Sequence, residues 1–205
     1  MKIISTDDPQ AISTAQQVLQ QDGLIAFPSD TIYGLATSAF NPTGILKIYA
    51  AKQRPEEKAL PVLIGDFAQL DSLVLFIPAP VRRIAEIFWP GPLTLILPKG
   101  PSIPNELSAY ATIGVRMPNL AFTLKLLKAT GPLATTSANI SNGANPTSAE
   151  DVVAQLGDAV DLILDGGPTP GATASTVVDA RGPSLKILRK GPIRLSDLQS
   201  LFENE

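Results

Sequence analysis

From Lys2 to Phe202 the chain alternates between apolar runs of strand length and stretches of helical periodicity, and most changes of pattern fall on proline or glycine. Such interleaving restricts the fold to helices packed on a sheet. Strands are expected at Lys2–Ser5, Leu24–Pro28, Tyr33–Thr37, Leu60–Ile64, Leu93–Leu97, Ile113–Arg116, Leu133–Thr136, Leu162–Leu164, Thr176–Val178 and Leu185–Leu188. Helices are expected at Asp8–Gln21, Pro42–Ala51, Pro80–Phe88, Leu120–Ala129, Ser148–Leu156 and Leu195–Phe202. Asn41 before Pro42 reads as an N-cap, and Ser148 with Asp151 in the first turn reads as another. The fold class is α/β (mixed α+β): a twisted mixed sheet with helices packed on it. The 19 prolines and 15 glycines fall mostly between elements, with no long linker, so residues 1–205 are expected to form a single domain.

Composition narrows the chemistry. The chain has neither cysteine nor histidine, which excludes disulfides, thiolate or histidine metal sites, and Ser-His-Asp triads. Proton transfer must use carboxylates, lysine, water or the substrate itself. The net charge of −3 does not mark a nucleic-acid binder. No apolar run reaches the ~20 residues of a membrane helix, and Met1–Thr6 lacks the pattern of a signal peptide. The expectation is a cytoplasmic protein without membrane attachment.

Polar residues with tight turns cluster at the ends of apolar runs in four places. In Ser29-Asp30-Thr31-Ile32-Tyr33-Gly34-Leu35, hydroxyls and a carboxylate follow a buried strand. They serve a site, or Asp30 caps local amides. In Lys52-Gln53-Arg54-Pro55, Pro55 ends a helix beside two cations. They suit a polyphosphate, or they only favour the helix dipole. Arg116, in Thr112-Ile113-Gly114-Val115-Arg116-Met117-Pro118, stands in an apolar strand and needs an anion or a structural carboxylate. Thr135 to Ser141, leading to Thr147, offers hydroxyls and amides for a nucleotide, or merely for turns. No Walker pattern is present.

Together with Trp89-Pro90-Gly91-Pro92-Leu93-Thr94, Ser175-Thr176-Val177-Val178-Asp179 and Leu188-Arg189, these segments resemble the YrdC-like family of L-threonylcarbamoyl-adenylate synthases, from about Gly23 to Ile193. The resemblance implies that L-threonine, bicarbonate or CO2, and ATP are joined into threonylcarbamoyl-AMP, with release of pyrophosphate. That product feeds a tRNA modification completed by a downstream threonylcarbamoyl transferase complex. By similarity, Thr31, Arg116, Ser137 and Ser175 hold threonine. Lys52, Arg54, Thr112, Asn139, Thr147 and Arg189 hold ATP, with Lys52 and Arg54 countering the charge of the leaving pyrophosphate. Mg2+ would ride on the phosphates, with few protein ligands. Direct tRNA contact is also implied as an option. Leu63 stands where some relatives carry a histidine, and Ser29 and Ala59 where threonine and proline are common. An RNA-binding module without turnover and a carbamoyl-phosphate-using transferase are the competing readings. On the leading one, Lys52→Ala and Arg54→Ala weaken ATP use with the fold intact, and Arg116→Ala acts mainly on threonine.

Overall fold

In the computed structural model, which describes residues 1–170, 173–182 and 184–203, all the named strands join one ten-stranded sheet. In chain order the elements are β1 (Lys2–Ser5), α1 (Ala11–Gln20), β2 (Ile25–Phe27), β3 (Gly34–Ser38), α2 (Pro42–Lys52), β4 (Val62–Leu63), α3 (Ala79–Phe88), β5 (Leu93–Pro98) and β6 (Thr112–Arg116). Then follow α4 (Ala121–Thr130), β7 (Leu133–Ser137), α5 (Ala149–Leu156), β8 (Leu162–Asp165), β9 (Thr176–Asp179), β10 (Lys186–Arg189) and α6 (Leu195–Glu203). The spatial order is β1-β8-β2-β3-β7-β4-β6-β5-β9-β10. β8 is parallel to both β1 and β2, β4 to β6, and β5 to β9; the other neighbours are antiparallel. The mixed sheet agrees with the α/β expectation.

Strand alternation divides the core between the two faces. On one face Leu35, Val62, Leu95, Val115, Ala134 and Val178 pack against residues of α2, α3, α5 and α6. On the other, α1 and α4 cover Ile25, Phe27, Ala36, Leu133 and Leu162. That cover does not extend over β6, β5 and β9. The exposed half of this second face is where the cavity described below opens.

Differences from the sequence expectation are local. α1 begins at Ala11 because Asp8 Oδ1 accepts from Gln10 N at 2.7 Å in a turn around Pro9. The β4 ladder contains only Val62 and Leu63, since Pro61 has no N–H to give. Short 3-10 turns at Phe67–Ser72 and Gly157–Ala159 were not foreseen. Asn41 does cap α2, accepting from Gly44 N at 3.2 Å, and Ser148 and Asp151 form a reciprocal capping box on α5. Among the described residues no helix is long and apolar enough to cross a membrane.

Candidate active site

The uncovered half of the sheet forms a cavity of about 390 Å³. Its floor is a row of side chains fixed by strand register. Leu63 on β4 is opposite Arg116 on β6. The β5–β6 ladder pairs Leu95 with Val115, so its next step sets Thr94 beside Arg116, and Thr94 in turn pairs with Val177 on β9. Gly114 keeps the floor low: a Cβ there would lie 3.1 Å from Thr94 Cγ2.

Arg116 is the best-anchored cation of the floor. Its Nε donates to Gly91 O at 3.0 Å, Nη1 to Thr31 Oγ1 at 3.2 Å and Nη2 to Asp30 Oδ1 at 2.5 Å. The Trp89–Thr94 turn supplies that carbonyl by bringing Gly91 against α3, where a Cβ would lie 2.4 Å from Phe88 O. Asp30 thus pairs with Arg116 and does not cap its own turn. Ser29 does that instead, accepting from Thr31 N at 3.1 Å and Ile32 N at 3.3 Å.

Arg189 reaches the cavity through a register slip. β10 pairs Ile187 with Val178 and then Arg189 with Val177, leaving Leu188 as the extra, exposed residue. Arg189 therefore shares Val177's face. Its Nε donates to Ser175 O at 3.0 Å and its Nη2 to Ser175 Oγ at 2.9 Å. Arg189, expected with the nucleotide, is thus bonded to Ser175, expected with threonine.

α2 ends where Gln53 turns left-handed (φ 50°), ahead of Pro55. This reversal sends Lys52 and Arg54 in different directions. Arg54 lines the cavity, its Nε donating to Lys58 O at 3.0 Å and its Nη2 to Ala59 O at 3.1 Å. Lys52 is 1% exposed and lies behind the wall. Its Nζ donates to Ser137 O at 2.6 Å, to Asn139 O, and to Asn139 Oδ1 at 3.1 Å. It latches the segment after β7, whose Ser141 N returns a bond to Lys52 O at 3.0 Å. Burial, then the nearby Arg54 charge, lower the Lys52 pKa to about 8.

Of the residues expected from the sequence, Thr31, Arg54, Arg116, Ser137, Ser175 and Arg189 line this one cavity. Lys52 stands one hydrogen bond behind Ser137, and Asn139 one behind Lys52. Thr147 Oγ1 donates to Asp151 Oδ2 at 3.0 Å, away from the lining. Thr112 starts the strand that Arg116 ends, and is likewise outside the lining. Leu63 gives the cavity an apolar wall. Thr94 lines the cavity too, and its one sequence signal is being the polar residue inside the apolar run Leu93–Leu97.

The electrostatics are one-sided. Arg54, Arg116 and Arg189 line the cavity, and among the described residues no Asp or Glu joins them in the lining. Among the described residues neither Arg54 nor Arg189 has a carboxylate partner. Burial lowers all three pKa values, and the Arg116 charge lowers that of Arg189 further. Cations crowded in this way favour anionic ligands. Tyr33 is pushed up to about 12, mainly by burial, and remains a neutral phenol bonded to Gly167 O at 2.8 Å.

Comparisons with known proteins place the chain in a family. The family model of the Sua5, YciO and YrdC proteins, whose description reads Telomere recombination, matches residues 17–191. The Threonylcarbamoyl-AMP synthase of Bacillus subtilis (strain 168) is 38% identical over 202 residues, covering 97% of this chain and 58% of the relative. The chain thus spans little more than half of that protein's length. The Threonylcarbamoyl-AMP synthase of Vibrio cholerae is 30% identical over 88% of this chain and 97% of its own. The crystal structure of P. abyssi Sua5 complexed with L-threonine superposes with a TM-score of 0.90 at 36% identity, covering 94% of this chain and 57% of that one. The chain belongs to the Sua5, YciO and YrdC family.

Proposed function

We propose that this chain is a threonylcarbamoyl-AMP synthase. It joins L-threonine, bicarbonate or CO2, and ATP, and releases pyrophosphate. The names of its relatives and the threonine complex of P. abyssi Sua5 support the reading. The observation that carries it is one hydroxyl-lined cavity with, among the described residues, three guanidiniums and no carboxylate in its lining. Two anions, a carbamate and a triphosphate, must meet there against their repulsion.

The chemistry asks little covalent work of the protein. The threonine amine adds to CO2, forming an N–C bond and losing a proton. A carbamate oxygen then attacks the α-phosphorus, and the bond to pyrophosphate breaks. Rate comes from alignment, charge compensation and exclusion of water. In our reading Thr31, Arg116, Ser137 and Ser175 bind threonine. Arg54 and Arg189 face the phosphates, with Lys52, Asn139, Thr112 and Thr147 on the nucleotide side. The bonds between Arg189 and Ser175 support a seam at which carbamate and α-phosphate meet. Mg2+ would be carried on the phosphates. Residues 1–205 would act as one catalytic domain in the cytoplasm, passing product to a tRNA threonylcarbamoyl transferase complex.

Mass spectrometry of a reaction containing ATP, bicarbonate and threonine should detect threonylcarbamoyl-AMP. Pyrophosphate release indifferent to threonine would sink the proposal. A pH series adds a second check. With its pKa near 8, Lys52 loses its charge above that value. The KM for ATP should then rise on the alkaline side of about 8, and Lys52→Arg should move that rise to higher pH. The fold favours neutral lysine, because the folded pKa lies below the ordinary 10.5. This group therefore adds stability as pH climbs from about 8 toward 10.5. A rising KM without a falling unfolding midpoint separates the effect from alkaline denaturation; an unchanged KM through this window would refute it.

A further inference from the structure

An inventory of hydroxyl hydrogens divides the cavity into two ends. Ser29 has one such hydrogen and gives it to Ile32 O at 2.7 Å. With Ser29's hydrogen used, the 3.0 Å contact between Ser29 Oγ and Thr31 Oγ1 can carry only Thr31's hydrogen, which shares the Ser29 oxygen with the amides of Thr31 and Ile32. Arg116 Nη1 donates to the same Thr31 oxygen. The chain runs from Arg116 through Thr31 and Ser29 to a main-chain carbonyl, where it closes. Thr31 keeps a lone pair and no hydrogen, so it can only accept from a ligand.

The second chain starts at Arg189. Its Nη2 donates to Ser175 Oγ, which lies 2.8 Å from Thr94 Oγ1. Two hydroxyls carry two hydrogens, and one of them spans the pair. The sense running away from the guanidinium is favoured, because each O–H is polarised by the donor behind it. That leaves the Thr94 hydrogen over. Thr94 is 4% exposed, lines the cavity, and has no further acceptor among the described residues. A buried donor without an acceptor costs free energy that a ligand oxygen can recover.

The geometry points to Thr94 as a binding residue that donates to an anionic oxygen of the amino-acid substrate, with Ser175 and Arg189 polarising it from behind. Thr31 accepts a hydrogen from the amine of the same molecule, and Ser29 is the residue that positions Thr31 for this. Both ends adjoin Arg116, which suits an α-amino acid, whose carboxylate and amine sit on one carbon. The inference rests on the threonine-activating reading of the cavity.

Titration calorimetry with L-threonine and with L-threoninol, whose carboxylate is replaced by a neutral hydroxymethyl group, tests it. Wild type should prefer threonine about tenfold or more, the range for a hydrogen bond to a charged group. Thr94→Val should cut that preference to about threefold or less with the unfolding midpoint retained, and Thr94→Ser should restore it. Thr94→Val combined with Ser175→Ala should be no worse than Thr94→Val alone, since the two hydroxyls act as one chain. A wild-type preference in Thr94→Val, or losses that multiply in the double variant, would overturn the inference while leaving the functional reading standing. If the valine variant does not fold, Ser175→Ala and Thr94→Ser still decide the matter: the first must lower the preference and the second must keep it. Wild-type protein that binds no threonine would overturn the functional reading itself, and the inference with it.

Discussion

Arg116→Ala should lose about 3–5 kcal/mol of stability as well as threonine-dependent turnover, because it breaks a buried ion pair from one side. Arg116 and Asp30 side chains are 8% and 13% exposed and meet at 2.5 Å. Alanine leaves the carboxylate with little solvent and no cation, and it abandons Gly91 O and Thr31 Oγ1 as well. A domain is stable by only about 5–15 kcal/mol, so the loss should be plain in a denaturant titration. Removing both charges is a gentler change than removing one. Asp30→Asn with Arg116→Met should recover much of the lost stability and none of the threonine binding. That split separates the structural half of the residue's work from the half that faces the ligand. An Arg116→Ala midpoint within about 1 kcal/mol of wild type would mean the pair does not form in solution. The sequence leaves open whether Arg116 meets a ligand anion or a structural carboxylate, and the structure supplies Asp30 as that carboxylate.

The pattern of elements was legible because the relevant signals are local. Asn41-Pro42 and Ser148 with Asp151 mark helix starts by short-range bonds, and both caps form. The short apolar runs became strands within a residue or two. What escaped was whatever depends on partners distant in the chain. The slip that leaves Leu188 outside and brings Arg189 to Ser175 is a property of the β9–β10 ladder, and nothing in Leu185–Leu188 announces it. Thr94 is one hydroxyl in an apolar strand and takes on meaning only from Ser175 and Arg189, which are distant in the chain. The Lys52 and Arg54 pair was read as a unit from its spacing, whereas the left-handed Gln53 between them points the two cations apart.

That parting of directions predicts different fates for the two residues. Lys52→Ala should cost about 2–4 kcal/mol, because it strands three acceptors that are held around one buried ammonium. Two of them, Ser137 O and Asn139 O, belong to the main chain leaving β7, and the third is Asn139 Oδ1. Freed from the latch, this segment should shift Ser137 in the cavity wall, raising the KM for threonine as well as for ATP. Arg54→Ala gives up bonds to Lys58 O and Ala59 O in a turn that water can reach. It should cost less than about 1 kcal/mol while weakening ATP use by about tenfold or more. Denaturant midpoints and both KM values, measured on the two variants in parallel, decide the point. Lys52→Met serves as the control for lost volume: it refills the space and leaves the acceptors unpaired, so most of the stability loss should persist. If Lys52→Ala proved as stable as Arg54→Ala, with only its ATP kinetics altered, the ammonium would be facing the nucleotide in solution, not the carbonyls behind the wall.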